Sequence, residues 1–416
     1  MKGEEVKGKG PLEGLRVLEL AHIMSGPSCG LLLADMGADV IKVEKMPGGD
    51  DTRRYVPPEI NGESAAFLMM NRNKRGIAVN LKHESGKEVL RRLVGSADVL
   101  TENYRAGTME KLGLGYEALR QLNPRLVYCA ISGFGRTGPF ADRGGFDLVA
   151  QGMSGLMSIT GEPGQEPIKC GPPVTDIGAG MLAALGIVAA CVHRLRTGEG
   201  QRVDTSLFEA GVMQTYWHSA IALATGRSPG PLGSAHLLTA PYQAFPTRDG
   251  WINIGAANQA NWERLVKVLE APELAADSRF GQNAGRMQHR DALVSALTPH
   301  LRRRSTAEWV EALDAAGIPV GPVLSITEML EHPQTIARQM VIETSHPSAG
   351  KAKGIGLPIK FSSGRGSMAR SAPLFGQHTR EVLREHGYSD LEIEALAREG
   401  AVTLAVAPPD EGPAGG

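Results

Sequence analysis

Short apolar runs and helical patterns take turns along the first third of the chain. Leu15-Arg16-Val17-Leu18-Glu19-Leu20 predicts a strand, residues 29–36 a helix, and residues 39–43 a second strand. A strand at 77–81, a helix at 84–94, and strands at 97–100 and 125–131 follow. Strands that alternate with helices predict an α/β fold, a parallel sheet with helices on its faces. The breaker-rich stretch at 225–231 marks a boundary. Beyond it, residues 242–245 and 251–254 predict a hairpin around Arg248-Asp249-Gly250, and helical patterns follow. One of these opens on Ser305-Thr306-Ala307-Glu308, a capping box. Strands and loops return from about residue 335, and a last helix is predicted from Ser389. Residues 1–10 and 406–416 are predicted to be flexible ends, because the tail Pro408-Pro409-Asp410-Glu411-Gly412-Pro413 has no apolar surface to bury.

The most apolar run, residues 181–192, predicts a buried helix. Just before it stands Gly171-Pro172-Pro173-Val174-Thr175-Asp176-Ile177-Gly178-Ala179-Gly180. The prolines force an extended approach, so Asp176 is placed at a helix N-terminus, where negative charge is favoured. The glycines leave room for a ligand to approach the backbone. Two readings stay open at this point: a capping aspartate, or a carboxylate that faces a ligand.

Charge and cysteine content narrow the function classes. Lys+Arg number 44 and Asp+Glu 45, a net charge of -1, which gives no reason to expect a nucleic acid partner. Cys29, Cys129, Cys170 and Cys191 show no paired spacing, so no disulfide framework and no metal site are predicted. The chain starts without an apolar signal-like segment, and the run at 181–192 is too short to span a bilayer. These observations predict a soluble, cytoplasmic protein that does not enter membranes.

Gly133-Phe134-Gly135-Arg136-Thr137-Gly138 matches a dinucleotide fingerprint in letters. Pro139 and a loop-like stretch follow where that fingerprint needs a helix, so the glycines predict a tight loop at the carboxyl end of a strand. Lys42, Lys45, Arg53, Arg54, Arg72, Lys74, Arg75, Lys82, Arg105 and Lys111 fall near predicted strand ends or loops. They are either a phosphate-binding set or a solvated rim. His22 follows the first strand and stands on the side where such sheets bind ligands.

Together these segments resemble the class III CoA-transferases, the family of formyl-CoA transferase and carnitine CoA-transferase, with the acyl-CoA racemases in the same superfamily. The resemblance rests on residues 11–18, 37–44, 71–75, 102–105, 144–151, 154–157 and 197–201, and on Gly376-Gln377-His378-Thr379; it spans about residues 11–400. It implies a Rossmann-like large domain formed by both chain ends (11–225 and 335–405), a smaller α+β domain inserted at 226–334, and an interlocked homodimer. It makes Asp176 the catalytic residue. It carries CoA contacts over to Met24, Ser25, Lys45, Val79, Asn80, Leu81, Lys82, Asn103, Tyr104, Arg105, Lys111, Gly144, Gly145, Phe146 and Asp147. No tightly bound cofactor is implied; coenzyme A enters as part of the acyl-CoA substrate, and a small carboxylic acid is the other partner.

Departures from the family pattern sharpen the expectation. Met24 stands where formyl-CoA transferase has a catalytic glutamine, and Gly255-Ala256-Ala257-Asn258-Gln259 has fewer glycines than its active-site loop; both argue against a formyl/oxalate enzyme. The racemases place a histidine where this chain has Phe146, and phenylalanine cannot shuttle a proton. A non-catalytic CoA-binding protein would have no need of Asp176. Residues 234–236 and 241–245 look like those of succinyl-CoA-dependent members that act on dicarboxylates, with Arg105 or His236 as candidates for a distal carboxylate. Backbone N–H groups near Gly178 or in the Gly255 loop are candidates for the oxyanion.

Overall fold

A computed structural model of the chain describes residues 10–364 and 370–405, so the expectation for the chain ends falls on residues outside it, apart from Gly10. The chain divides into two compact units, one holding residues 10–156, 169–217 and those from 337 onward, the other residues 157–168 and 218–336.

The first unit is built on a seven-stranded sheet. Its spatial order is Val402–Thr403, Lys74–Val79, Asp39–Lys45, Arg16–Leu20, Val99–Glu102, Val127–Ser132, Arg202–Ser206. All neighbours are parallel except the Val402–Thr403 edge. Without that edge the order is that of the doubly wound dinucleotide folds, in which a crevice opens beyond the carboxyl ends where the strand order reverses. Here that point lies between Arg16–Leu20 and Val99–Glu102, registered Leu18 against Leu100.

Alternate side chains of the strands feed two cores. Leu18, Ile41, Ile77 and Leu100 pack on one face with Val89, Leu90 and Leu93 of the helix Glu84–Val94. Val17, Val40, Val99 and Ile131 pack on the other, with Ala179, Ala183 and Ile187. The last three belong to the helix Val174–Thr197, closed by Gly198 at φ 81. This helix is twice as long as the apolar run that predicted it, and by length and composition alone it could cross a bilayer. Its small residues instead pack inside the unit. A Cβ at Gly180 would lie 2.0 Å from Ser28 Oγ and 2.6 Å from the Ser25 carbonyl oxygen, so only glycine lets it lie this close to the helix Ser25–Asp35. Its other side leaves Met181, Leu185 and Leu195 exposed.

The strand predicted at 77–81 runs instead over Lys74–Val79. Its charged start is buried because each cation meets internal acceptors, which hydropathy cannot register. In the second unit Tyr242–Pro246 and Trp251–Gly255 form an antiparallel pair, extended by Val320–Pro322. Phe245, Ile252, Trp262, Leu293 and Trp309 make its core. Residues 157–168 join it through the Gly233 N–H, which donates to the Gly161 carbonyl at 2.8 Å. Capping boxes at Ser305/Glu308 and Ser389/Glu392 open the helices Thr306–Ala315 and Asp390–Arg398.

Candidate active site

Three neighbouring strands of the parallel sheet end at one cavity of about 340 Å³. The strand Arg16–Leu20 leads into His22, Ile23, Met24 and Ser25; Val99–Glu102 leads into Asn103, Tyr104 and Arg105; Val127–Ser132 leads into Gly133. Gly144, Gly145 and Phe146 close the cavity, and Asp176 lines it from the first turn of the helix Val174–Thr197. A larger, open cleft of about 950 Å³ lies at the amino-terminal ends of Arg16–Leu20, Asp39–Lys45 and Lys74–Val79, lined by Arg16, Asp39 and Arg75. Arg75 is already paired there with Asp39, Glu381 and Glu385, so the smaller cavity is the chemically equipped one.

The two readings of Asp176 are resolved by its neighbour. The long helix is capped by Asp147 of the helix Asp147–Met153, whose Oδ1 accepts from the Thr175 amide at 2.9 Å and the Thr175 hydroxyl at 2.7 Å. The other Asp147 oxygen accepts from Gln151 at 2.6 Å. Asp176 is left to the cavity. Burial and the Asp147 carboxylate push its carboxyl up to about 6, and no cation offsets them. A carboxylate so placed is unpaired and desolvated yet ionised at neutral pH, as a nucleophile requires.

The glycine loop takes the predicted form without nucleotide geometry. A Cβ on Gly145 would lie 2.5 Å from the Gly133 Cα, so the two backbones touch and fold residues 133–145 back over the strand end. Phe146 then stands 68% exposed at the cavity. Asn103 joins the loops across the crevice: its Oδ1 accepts from the His22 amide at 3.0 Å, and its Nδ2 donates to the His22 carbonyl at 2.8 Å.

Of the residues expected to contact CoA, Met24, Ser25, Asn103, Tyr104, Arg105, Gly144, Gly145 and Phe146 share the cavity with Asp176. Lys45, paired with Asp51, is the last residue of its strand and Lys82 follows the carboxyl end of the adjacent one, both outside that lining, and Lys111 is exposed at the end of the short helix Thr108–Lys111. The other four are engaged within the fold. Val79 is 1% exposed in the core and offers a ligand no side-chain surface. Asn80 ties its turn to the chain end, its amide donating to the Ala401 carbonyl at 2.8 Å, while Leu81 packs against the core. The Asp147 carboxylate is committed to capping.

The basic set divides as well. Lys42, Lys74, Arg72 and Arg75 are buried and paired with Glu19, Asp50, Asp35 and Asp39, and Arg53 is held by Glu44. They are neither a phosphate set nor a solvated rim. Arg105 remains exposed and has no carboxylate partner among the described residues. Sequence reasoning passed over Ile23 and Arg143, which also line the cavity. A sequence alone carries no sign of Ile23, whose φ of 69 is a left-handed conformation that β-branched residues avoid. In the second unit Asn258 caps the helix Gln259–Val268, accepting from the Asn261 amide at 2.8 Å.

An open, mostly parallel sheet with a lone carboxylate at its switch-point cavity defines a ligand site of the α/β class. Comparison with known proteins identifies which one: the family model for CoA-transferase family III matches residues 12–379, and the chain belongs to that family. It is 39% identical over 393 residues to mouse (Mus musculus) succinyl-CoA:glutarate CoA-transferase, covering 94% of this chain and 90% of that one. It is 40% identical over 383 residues to the succinate–glutarate CoA-transferase of Agrobacterium fabrum, with 91% and 96% covered. Among solved structures, a CAIB/BAIF family protein from Brucella suis superposes with a TM-score of 0.83 at 39% identity, covering 91% of this chain and 100% of that one.

Proposed function

We propose that this CoA-transferase moves coenzyme A from succinyl-CoA to a small dicarboxylate, with glutarate the first acceptor to try. The observation that carries the reading is Asp176, a half-buried carboxylate raised to about 6 and unpaired at the strand-end cavity. The relatives named for succinyl and glutaryl transfer supply the choice of substrates.

The chemistry follows from a carboxylate facing a thioester. One Asp176 oxygen attacks the succinyl carbonyl, the C–S bond breaks, and the products are an aspartyl–succinyl anhydride and CoA thiolate. The thiolate attacks the aspartyl carbonyl, which releases succinate and leaves an aspartyl-CoA thioester. The acceptor carboxylate attacks that thioester, forming a second anhydride and freeing the thiolate again. Thiolate attack on the acceptor's acyl carbonyl gives the new CoA ester and restores the Asp176 carboxylate. Each step exchanges one acyl bond for another, so the cycle balances with no tightly bound cofactor. The anhydrides need shelter from water, which a cavity rather than an open surface favours. Arg105 is the candidate for the distal carboxylate of the diacid, because a guanidinium binds carboxylate bidentately.

We also propose that the chain acts as an interlocked homodimer. Met181, Leu185 and Leu195 lie 53%, 66% and 76% exposed along the helix Val174–Thr197, an apolar face that a second copy would cover.

The test is to incubate the protein and its Asp176→Ala variant with succinyl-CoA and a panel of acids, and to read CoA esters by mass spectrometry. Glutaryl-CoA or another diacid ester that disappears in the variant supports the reading. An active Asp176→Ala variant refutes it. Deuterium uptake at an acyl α-carbon without new esters would point to the racemase branch despite Phe146.

A further inference from the structure

Residues 21–25 connect the first strand to the helix Ser25–Asp35 and form one wall of the Asp176 cavity. This connection is held in an unfavourable shape. Ile23 has φ 69, where its branched Cβ crowds the backbone. Something must hold it there, and the groups that do so lie behind the wall. The Ile23 amide donates to Asp50 Oδ1 at 3.1 Å, which also accepts from the Thr52 amide at 2.9 Å and the Thr52 hydroxyl at 2.8 Å. Asp50 Oδ2 meets the Lys42 ammonium at 2.8 Å. The two other Lys42 donors reach Glu19 Oε1 and the Ala21 carbonyl, both at 2.9 Å. Behind these, Lys74 joins Glu19 Oε2 at 2.8 Å to the Pro27 carbonyl at 2.9 Å. All four charged side chains are fully buried or nearly so.

The network's hydrogen bonds reach the connection at Ala21, Ile23 and Pro27, and among the described residues none goes to Asp176 or to cavity lining other than Ile23; Asp50 and Lys42 also act through space on His22 and Tyr104. A buried ion pair is a weak source of net stability against an apolar replacement, but it fixes geometry where a backbone group must be held. Asp50 does this at one strained amide.

We propose that Asp50, fixed by Lys42, is a positioning residue of the transferase: it holds Ile23 left-handed so that Met24 and Ser25 face the Asp176 cavity. This rests on the transferase reading above. The two fail separately, because the Asp176→Ala variant tests the nucleophile and the cycle below tests the wall.

The test is a double-mutant cycle on kcat and KM for succinyl-CoA with Asp50→Asn and Ile23→Gly. Asn keeps the size and one acceptor but loses the charge that Lys42 holds. Glycine occupies positive φ without a steric cost, so it needs the anchor less. Asp50→Asn is expected to lower kcat on the order of ten-fold, the rate equivalent of releasing one strained residue, with KM changed much less. Adding Ile23→Gly to Asp50→Asn is expected to recover a large part of that loss, whereas in the native background Ile23→Gly recovers nothing. A loss of stability alone would not be rescued by glycine. Native kcat in Asp50→Asn, or a double variant no faster than Asp50→Asn, overturns the proposal. Should Asp50→Asn not fold, Thr52→Val goes through the same cycle; it removes only the hydroxyl on the same oxygen, and the same outcomes decide.

Discussion

Asp176 is a half-buried, unpaired carboxyl that the fold holds at a thermodynamic cost, and that cost is measurable. Its carboxyl stands at about 6 in the folded chain against 3.8 for an ordinary aspartate. Between those values the unfolded chain has released the proton while the folded chain keeps it. Stability therefore falls as pH rises from about 4 through about 6. The full titration costs the folded state about 3 kcal/mol, of which about 1.4 kcal/mol falls between pH 5 and pH 7.5. Asp176→Asn preserves the shape and removes the ionisation. The variant should be the more stable protein at pH 7.5, and its advantage over the native chain should grow by about 1.4 kcal/mol from pH 5 to pH 7.5. It should also have no transferase activity. Urea unfolding of both proteins at several pH values across that interval measures the difference. An advantage that stays constant, or shrinks, as pH rises would show that Asp176 ionises freely in the fold, and the argument for a desolvated nucleophile would fail.

The same carboxyl sets a rate limb: kcat/KM should fall about ten-fold per pH unit below about pH 6, and a limb near pH 4 would contradict the raised value. Gly30→Ala would place a Cβ 1.8 Å from Glu19 Oε2, inside the Lys42–Glu19–Lys74 network; a loss of about 3–5 kcal/mol is expected in urea unfolding, and a loss under 1 kcal/mol would mean the network yields readily. Arg105→Ala should raise KM for diacids about ten-fold while leaving monoacids little affected; equal effects on both would remove Arg105 from distal-carboxylate recognition. Sedimentation should give twice the 44.2 kDa chain mass, with the yield of that species cut by Leu185→Glu, and a single-chain mass for the native protein would leave the apolar helix face unexplained.

What could be read ahead of the structure follows a physical division. Elements whose ends are written in local chemistry are legible: the helix Glu84–Val94 and the Ser305 and Ser389 caps stand where periodicity and capping residues place them. The glycine loop at 133–145 is legible as a turn, because Pro139, directly after the glycine motif, and the loop-like residues beyond it stand where a nucleotide-binding fold needs a helix. The basic residues were misread because their partners are remote in sequence. Lys74 meets Glu19, Arg75 meets Glu385, and Arg53 meets Glu44 and the Pro373 carbonyl, and no window of neighbouring residues reports such pairings. The Asp147 cap on Thr175 was hidden for the same reason. Ile23 was illegible on other grounds, since its left-handed backbone opposes its own local preference, and Asp50, which accepts its amide, stands 27 residues away.

Asp50 and Asp176 make the distinction sharpest, because they are the same residue, one buried and one half-buried, and both are taken largely out of water. Burial alone would raise both. At Asp50 burial is outweighed by Lys42 at 2.8 Å and by the Thr52 and Ile23 amides, which hold the carboxyl well below the ordinary aspartate range. At Asp176 no cation answers, and the nearest charge is another carboxylate, so burial and repulsion add. One aspartate is thereby fixed as an anion that never gains or loses a proton near neutrality, fit to hold a strained backbone amide. The other is an anion stabilised by little, the condition that the proposed nucleophile requires. The sheet supplies both conditions from one arrangement. Strands rich in buried lysine stand behind the wall of the cavity, and the first turn of an almost uncharged glycine- and alanine-rich helix faces it from the front.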